Sequence, residues 1–273
     1  MSCLVATKNN TNYLLLDSLC HNSLQMGARM GTGRSTENND DSRMIQTFQH
    51  NDLVDLERKL NAIRSLSSSS LSPPALHDAN INNNNNNTTT TNIIVVVESI
   101  YSMDGDAAPL QQIMDCCLRH DACVVVDEAH GLGVFGGGNG GYSNNNSGGG
   151  YNNNNKGLGL GLLQAMNLQH HPALLCSIFT FGKAAGCHGA VVCSGSSAKT
   201  WIQFLYNYGR PIVYSTSLPL HALVTIQCAY ETMSSGKGTR LRRHVLQLVQ
   251  HFRGLIQKQV LDYSNSNSNI ALR

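Results

Sequence analysis

Two apolar, largely β-branched runs that end in acidic side chains decide the fold of this chain. Residues 93–106 read IIVVVESIYSMDGD, and residues 123–130 read CVVVDEAH. Continuous apolar runs of this kind are typical of strands that are buried on both faces of a parallel sheet. Ligands of such sheets bind beyond the carboxyl ends of the strands, which is where Glu98 and Asp127 stand. The two runs therefore predict a sheet and the edge of it where chemistry should be sought.

On either side of these runs the chain alternates strand patterns with helix patterns. Further strands are predicted at 12–16, 44–48, 174–179 and 190–193, the last two as buried strands. Helices are predicted from about His21 and at 52–63, 110–118, 201–208, 220–233 and 241–261. The last helix carries one apolar stripe, formed by Leu241, Val245, Leu248, Phe252 and Leu255. This alternation predicts an α/β fold with a mostly parallel sheet flanked by helices.

Low-complexity tracts interrupt the pattern at 65–92 and 136–157, where Asn, Ser, Thr and Gly dominate. They hold too little apolar surface to offset the entropy of ordering them, so we expect disordered surface insertions. The stretch SNSNSN at 264–269 is similar. We therefore expect one domain over residues 11–261, carrying both insertions, followed by a disordered tail at 262–273.

Composition excludes several classes of protein. The chain has 273 residues, 13% of them charged, and a net charge of +2, which argues against a nucleic-acid or membrane-surface binder. No apolar run is long enough to span a bilayer. The nine cysteines are an odd, scattered set, and those at 123, 176, 193 and 228 lie in apolar runs. We expect buried, reduced thiols and a cytoplasmic location, with an organelle as the alternative.

Polar clusters follow four of the predicted strands. Asp17 and His21 follow the first, Glu98 to Asp106 the next, then Asp127 to His130, and finally Thr180 to Lys183. Because parallel strands end at the same edge, these clusters should converge. We expect a lysine that leaves a buried strand to be partly desolvated, which would make its neutral amine available for Schiff-base chemistry.

Pyridoxal phosphate needs such a lysine, and it needs an acid facing its ring nitrogen, because the protonated ring is the better electron sink. Lys183 and Asp127 are the candidates for these two roles. His21 could cover one face of the ring, and the hydroxyl of Thr180 could reach the phosphate.

Three other interpretations are weaker. DEAH at 127–130 also spells the metal-binding box of helicase-type ATPases, but no phosphate loop of the form GxxxxGK[ST] accompanies it. His120, Cys123, Asp127 and His130 do not have the spacing of a zinc site, so no metal is expected. The glycines at 136–141 lack the strand–turn–helix context of a nucleotide loop.

Six stretches of the chain resemble the α-oxoamine synthases, which are fold-type I pyridoxal-phosphate enzymes, in order and in spacing. The stretches are DSLCHNSL (17–24), QTFQHNDLVDLERKL (46–60), VVVESIYSMDGDAAPLQQI (95–113), VVVDEAHGLGVFG (124–136), FTFGKAAGCHGAVVCSG (179–195) and RPIVYSTSLP (210–219). The resemblance implies the large domain of the aspartate-aminotransferase-like fold and a homodimer.

The resemblance also implies roles for single residues. Lys183 would form the Schiff base with pyridoxal phosphate and later take the α-proton of an amino acid, and Asp127 would pair with the ring nitrogen. His130 and Ser102 would hydrogen-bond around the ring hydroxyl and substrate, and His21 would stack on the ring and meet the substrate. Further roles go to Thr180 at the phosphate, to Glu98 at the substrate, and to Ser215 and Thr216 at the cofactor phosphate across the dimer.

The implied reaction is a decarboxylative condensation of an amino acid with an acyl thioester. The match is best to the biotin-pathway branch of the family, which uses L-alanine and a pimeloyl thioester. Siblings that make aminolevulinate, aminoketobutyrate or ketosphinganine remain alternatives, as does an inactive fragment that only dimerises. Family segments that would precede residue 11 and follow Leu261 are absent, and Pro219-Leu220 replaces the usual Pro-Pro. Weak turnover or none is therefore expected from this chain alone.

Overall fold

The structure, a computed structural model, describes residues 11–31, 45–68, 91–136 and 158–268. Its strands are β1 (Thr11–Asp17), β2 (Ile45–Phe48), β3 (Thr91–Glu98), β4 (Ala122–Asp127), β5 (Leu174–Thr180) and β6 (Ala190–Ser194). Its helices are α1 (Asn22–Gly31), α2 (Leu53–Ser68), α3 (Leu110–Arg119), α4 (Leu162–Ala165), α5 (Lys199–Tyr208), α6 (Arg210–Val213), α7 (Leu220–Ser234) and α8 (Gly236–Ser268).

All six strands form one sheet in the order β2-β1-β3-β4-β5-β6. The five strands from β2 to β5 in this order are parallel to one another, and β6 is antiparallel to β5. The predicted mostly parallel α/β sheet is therefore confirmed. Its centre is β3, whose residues from Ile93 to Glu98 are all buried, because helices cover both faces of this strand.

Two apolar clusters lie on opposite faces of the sheet, since successive side chains of a strand point to opposite sides. The larger cluster includes Leu15, Val95 and Val97 and packs against α2, α3 and α4. The smaller one includes Leu16 and Val96 and packs against α1. The two clusters therefore define two faces of the sheet, and each residue at a strand end lies on one of them.

Several element boundaries differ from the sequence prediction. Helix α2 continues to Ser68, and β3 begins at Thr91, so the ends of the predicted insertion at 65–92 belong to regular structure. Asp52 caps α2 as predicted, because its Oδ1 accepts hydrogen bonds from Val54 N–H at 2.9 Å and Asp55 N–H at 3.1 Å. Helices α4 and α6 carry no apolar period long enough to be predicted, since each has four residues.

Other predictions fall on residues that the structure leaves undescribed. Met44, at the start of a predicted strand, lies outside the described ranges, and so do 69–90 and 137–157 of the two insertions. Helix α8 runs to Ser268, past Leu261 where the pattern predicts its end. The order of the remaining tail residues, 269–273, stays a prediction.

The β6 edge of the sheet is more exposed than the sequence predicts. The pattern predicts a buried β6, but Ala190, Val191, Val192 and Cys193 are exposed. The prediction that Cys193 and Cys228 are buried is wrong as well, since both are exposed.

The predicted apolar stripe of α8 is also exposed, with Phe252 62% exposed. An amphipathic pattern predicts the helix but does not say whether its apolar side packs against another part of the chain. Within the described ranges, no helix combines the length and the apolar character needed to cross a bilayer.

Candidate active site

The strand register brings two carboxylates to adjacent positions at the carboxyl edge of the sheet. Glu98, the last residue of β3, lies opposite Asp127, the last residue of β4. Asp127 in turn lies opposite Ile178 of β5, and Thr180 ends that strand two residues later. The predicted convergence of these strand ends on one edge is thus present in the fold.

The strand ends do not all face the same side. Residues two positions apart in a strand lie on the same face. Glu98 shares the face of Val96 and Asp127 that of Val125, so both carboxylates lie on the face covered by α1, as does Thr180. Asp17 shares the face of Leu15, which is the opposite one. The sequence predicts the common edge, but only the register separates Asp17 from the other two acids.

Glu98 binds the turn that carries His21. One carboxylate oxygen of Glu98, whose residue is 3% exposed, accepts a hydrogen bond from the backbone N–H of His21. Burial, together with the nearby charges of Asp127 and Asp17, raises the pKa of Glu98 to about 7. The imidazole of His21 is exposed, and its Nδ1 lies 2.8 Å from the hydroxyl of Ser23. The ring of His21 is therefore tethered to Ser23 at one nitrogen.

Asp127 is a buried acid that needs a positive partner. Its Oδ1 accepts a hydrogen bond from Ala129 N–H at 2.8 Å. Burial raises the pKa of Asp127, and the charges of His21, His130 and Lys183 act in the opposite direction. A cationic group placed beside this carboxylate would therefore be strongly favoured.

Lys183 lies in the turn after β5, and its carbonyl oxygen accepts a hydrogen bond from Gly186 N–H at 3.0 Å. Its side chain is exposed, so the partial desolvation that the sequence predicts for this lysine is not found, because the turn carries it out of the buried part of the strand. The positive charge of Lys183 acts on Glu98 and Asp127 and favours the ionised form of each carboxyl. Burial, followed by the charge of Lys183, lowers the pKa of His130. The charge of Lys183 thus influences two buried carboxyls and the imidazole of His130.

Three predicted cofactor ligands lie in exposed segments. Ser102 is exposed in the loop after β3, and Ser215 and Thr216 are exposed between α6 and α7. Their predicted roles at a cofactor, the latter two across a dimer, remain predictions.

Two polar groups near this edge, one buried and one half-buried, escape sequence reasoning. Glu128 is fully buried on the same side of the sheet as α4, where it accepts hydrogen bonds from the Ser99 hydroxyl at 2.7 Å and the backbone N–H groups of Leu162 and Leu163 at 3.0 and 2.7 Å. His50 bridges Asp17 and Asp106. No periodic pattern signals either contact, since both join residues that are at least 29 positions apart in the chain.

A cavity of about 360 Å³ lies on the opposite face from Glu98 and Asp127, since Ser177 and Phe179 of β5 line it and alternate with Ile178. The residues that line this cavity include no Asp, Glu, Lys or Arg. It therefore lacks the charged groups that distinguish the strand edge.

Comparison with known proteins gives a family and a set of relatives. A family model described as aminotransferase class I and II matches residues 2–272. The 8-amino-7-oxononanoate synthase of Enterobacter sp. (strain 638) is 31% identical over 222 residues, which cover 79% of this chain and 50% of that protein. Across such curated relatives the chain spans about a third to a half of their length.

Solved structures share the fold. A serine palmitoyltransferase from S. paucimobilis, solved with a bound PLP–myriocin aldimine, superposes with a TM-score of 0.57 at 24% identity, covering 85% of this chain and 45% of that one. The 8-amino-7-oxononanoate synthase of Francisella tularensis superposes with a TM-score of 0.53 at 17% identity, covering 88% and 52%. At these identities the similarity establishes the fold and leaves the substrate open.

Proposed function

This chain belongs to the aminotransferase class I and II family, and from that premise we propose that it is a pyridoxal-phosphate-dependent acyltransferase of the α-oxoamine synthase type. The observation that carries the proposal is the opposed pair Glu98 and Asp127 at the carboxyl edge, with the charge of Lys183 acting on both. The cofactor requires such a set: an accessible amine, and a buried acid that can pair with a cationic ring nitrogen.

The residues present fit the cofactor. Lys183 would hold it through its amine, and Asp127 would face its ring nitrogen, because a ring N–H supplies the positive charge that burial of this carboxylate demands. His130 and Ser102 would hydrogen-bond around the ring hydroxyl, and Thr180 would meet the phosphate. Ser215 and Thr216 would contact the phosphate of the cofactor that a second subunit binds. When bound, pyridoxal phosphate supplies an electron sink for charge developing at the amino-acid α-carbon.

The chain's own groups would then position the substrate and move one proton. His21 would cover the cofactor ring and, with Glu98, contact the amino acid, since the backbone N–H of His21 is bonded to that carboxyl. Burial and the charge of Lys183 lower the pKa of His130, which favours its neutral form at neutral pH. The amine of Lys183 would accept the α-proton of the amino acid at Nζ, a general-base role suited to a neutral amine.

For the substrates we propose L-alanine and a pimeloyl thioester, on coenzyme A or a carrier protein, giving 8-amino-7-oxononanoate of biotin biosynthesis. The support is the name shared by the curated relatives at 31–35% identity over 174 to 222 residues. Incubation with alanine, glycine or serine and with pimeloyl, acetyl, succinyl or palmitoyl thioesters would separate the family members. A preference for glycine or serine over alanine would reject the assignment to biotin biosynthesis. It would still support an α-oxoamine synthase reaction.

Absorbance spectroscopy tests the cofactor assignment directly. Added pyridoxal phosphate should produce a visible band in the wild type, and Lys183→Ala should abolish it. Lys199→Ala is the matched control, because Lys199 is an exposed lysine on α5, and it should keep the band. Absence of a band in the wild type at saturating cofactor would reject the proposal for this chain.

We also propose that the protein is a homodimer. The support is the exposed apolar stripe of α8, where Leu248 is 53% and Phe252 is 62% exposed, a pattern typical of surfaces that another polypeptide covers. Light scattering should give a molar mass twice that of one chain. The substitution Phe252→Glu should lower this mass toward that of the monomer. A monomeric wild type at micromolar concentration would reject this part of the proposal.

A further inference from the structure

A histidine outside the candidate active site is held between two carboxylates. His50 follows β2, and its Nδ1 lies 2.9 Å from Oδ1 of Asp17, the buried last residue of β1. On its other side, Nε2 lies 2.9 Å from Oδ2 of Asp106, in the loop after β3. The edge of the His50 ring contacts Tyr101, with ring centroids 4.4 Å apart.

The geometry specifies the protonation state of this ring. A neutral imidazole has one N–H donor and one bare acceptor nitrogen. Carboxylates only accept, so a bare nitrogen at 2.9 Å from a carboxylate oxygen would place two lone pairs against each other. The side-chain nitrogen of Asn51 also lies 3.2 Å from Nε2, farther than the Asp106 oxygen at 2.9 Å. Because each ring nitrogen has a carboxylate oxygen as its shortest contact, we infer that both carry protons and that the side chain is an imidazolium with a negative group on each side.

This bridge joins two loops that flank Glu98. Asp17 also accepts hydrogen bonds from the backbone N–H groups of Leu19 and Asn51, each at 2.9 Å, so it shapes the turn that leads to His21. Asp106 also accepts a hydrogen bond from the side chain of Asn51 at 2.7 Å. The first loop delivers His21 to Glu98, and the second, at 99–108, carries Ser102.

We propose that His50 is a positioning residue of the cofactor site, an imidazolium clamp that fixes the β1–α1 turn against the 99–108 loop. Its ring nitrogens bind Asp17 and Asp106, so it acts on the site through the placement of His21 and Ser102. The consequence for cofactor binding rests on the function proposed above, whereas the clamp itself is a property of the chain without cofactor.

The clamp has a definite pH dependence. The titratable groups that face His50 are Asp17 from β1 and Asp104, Asp106 and Tyr101 from the 99–108 loop. Burial opposes the charge, but the hydrogen bonds from the ring to Asp17 and Asp106 outweigh it and raise the pKa of His50. A raised histidine pKa means that the clamp is fully present below the ordinary pKa of histidine and loosens as pH rises through the folded value.

Nuclear magnetic resonance on the cofactor-free chain tests the clamp. We expect both ring nitrogens of His50 to be protonated at pH 6.5, and we expect the amides of Leu19 and Asn51 to exchange about tenfold faster in His50→Gln than in the wild type. Asp106→Asn is the milder second variant, and it should accelerate exchange less. His171→Gln is the matched control, because His171 is also half-buried with one carboxylate partner, Asp115 at 3.1 Å, and it should leave both amides unchanged.

Cofactor titration tests the consequence. The dissociation constant of pyridoxal phosphate should rise about tenfold in His50→Gln at pH 6.5 and should stay unchanged in His171→Gln. The difference between wild type and His50→Gln should shrink as pH rises through the pKa of His50, where loss of the ring proton releases the clamp. A His50 ring with one bare nitrogen at pH 6.5, or wild-type amide exchange in both variants, would overturn the clamp. If the wild type binds no pyridoxal phosphate, the proposed function fails while the exchange experiment still decides the clamp.

Discussion

Replacing Glu98 by Gln should stabilise the cofactor-free protein at alkaline pH. Glu98 is 3% exposed, and its pKa of about 7 reflects burial first, with Asp127 and Asp17 adding like charge. Ionising this carboxyl in the folded state is therefore unfavourable. The amide introduced by Glu98→Gln would keep a carbonyl oxygen for the N–H of His21 and would carry no charge, so the penalty should vanish.

The magnitude follows from proton linkage. The unfolded carboxyl ionises near its ordinary pKa of 4.5 and the folded one near 7, so unfolding releases a proton between these values. Stability therefore falls as pH rises through this window, by about 1.4 kcal/mol per pH unit. Over about 2.5 units the loss reaches about 3 kcal/mol, present in full at pH 8 and absent at pH 4.

Urea unfolding at pH 4, 6 and 8 would measure this difference. Relative to wild type, Glu98→Gln should gain about 3 kcal/mol between pH 4 and pH 8. Glu231→Gln, a change at an exposed carboxyl on α7, should show a difference that is nearly independent of pH. A pH-independent difference for Glu98→Gln would refute the claim that the Glu98 carboxyl is destabilised by burial beside Asp127.

Three further substitutions test individual contacts in the fold. Glu128→Ala should lower the free energy of unfolding by about 3 kcal/mol or more, because it leaves three buried donors without an acceptor, and calorimetry would show little change if water replaces the carboxylate. Asp52→Ala should cost about 1 kcal/mol through the lost cap of α2, with Asp52→Asn close to wild type in urea unfolding. Gly195→Ala should cost about 2 kcal/mol, because a Cβ there would collide with the carbonyl oxygen of Leu174, whereas Gly182→Ala meets open space; equal melting temperatures for the two would contradict this contact.

The strand–helix alternation makes most of the fold predictable. Short, β-branched runs such as IIVVV and CVVV favour buried strands, and their acidic ends place Glu98 and Asp127 at one edge. The stripe of α8 shows where this reasoning stops. Amphipathic spacing identifies a helix, but whether Leu248 and Phe252 are covered depends on a neighbouring surface that the pattern does not contain.

The sequence by itself determined the sheet, its carboxyl edge and the residue types gathered there, since local periodicity and strand direction encode these properties. Only the tertiary structure decided that Asp17 faces away from Glu98 and Asp127, that Glu128 anchors α4, and that His50 bridges two carboxylates. These relations depend on strand register and on contacts between distant segments. A shift of one residue in register would exchange the two faces, and nothing in the local pattern of residues reports that choice.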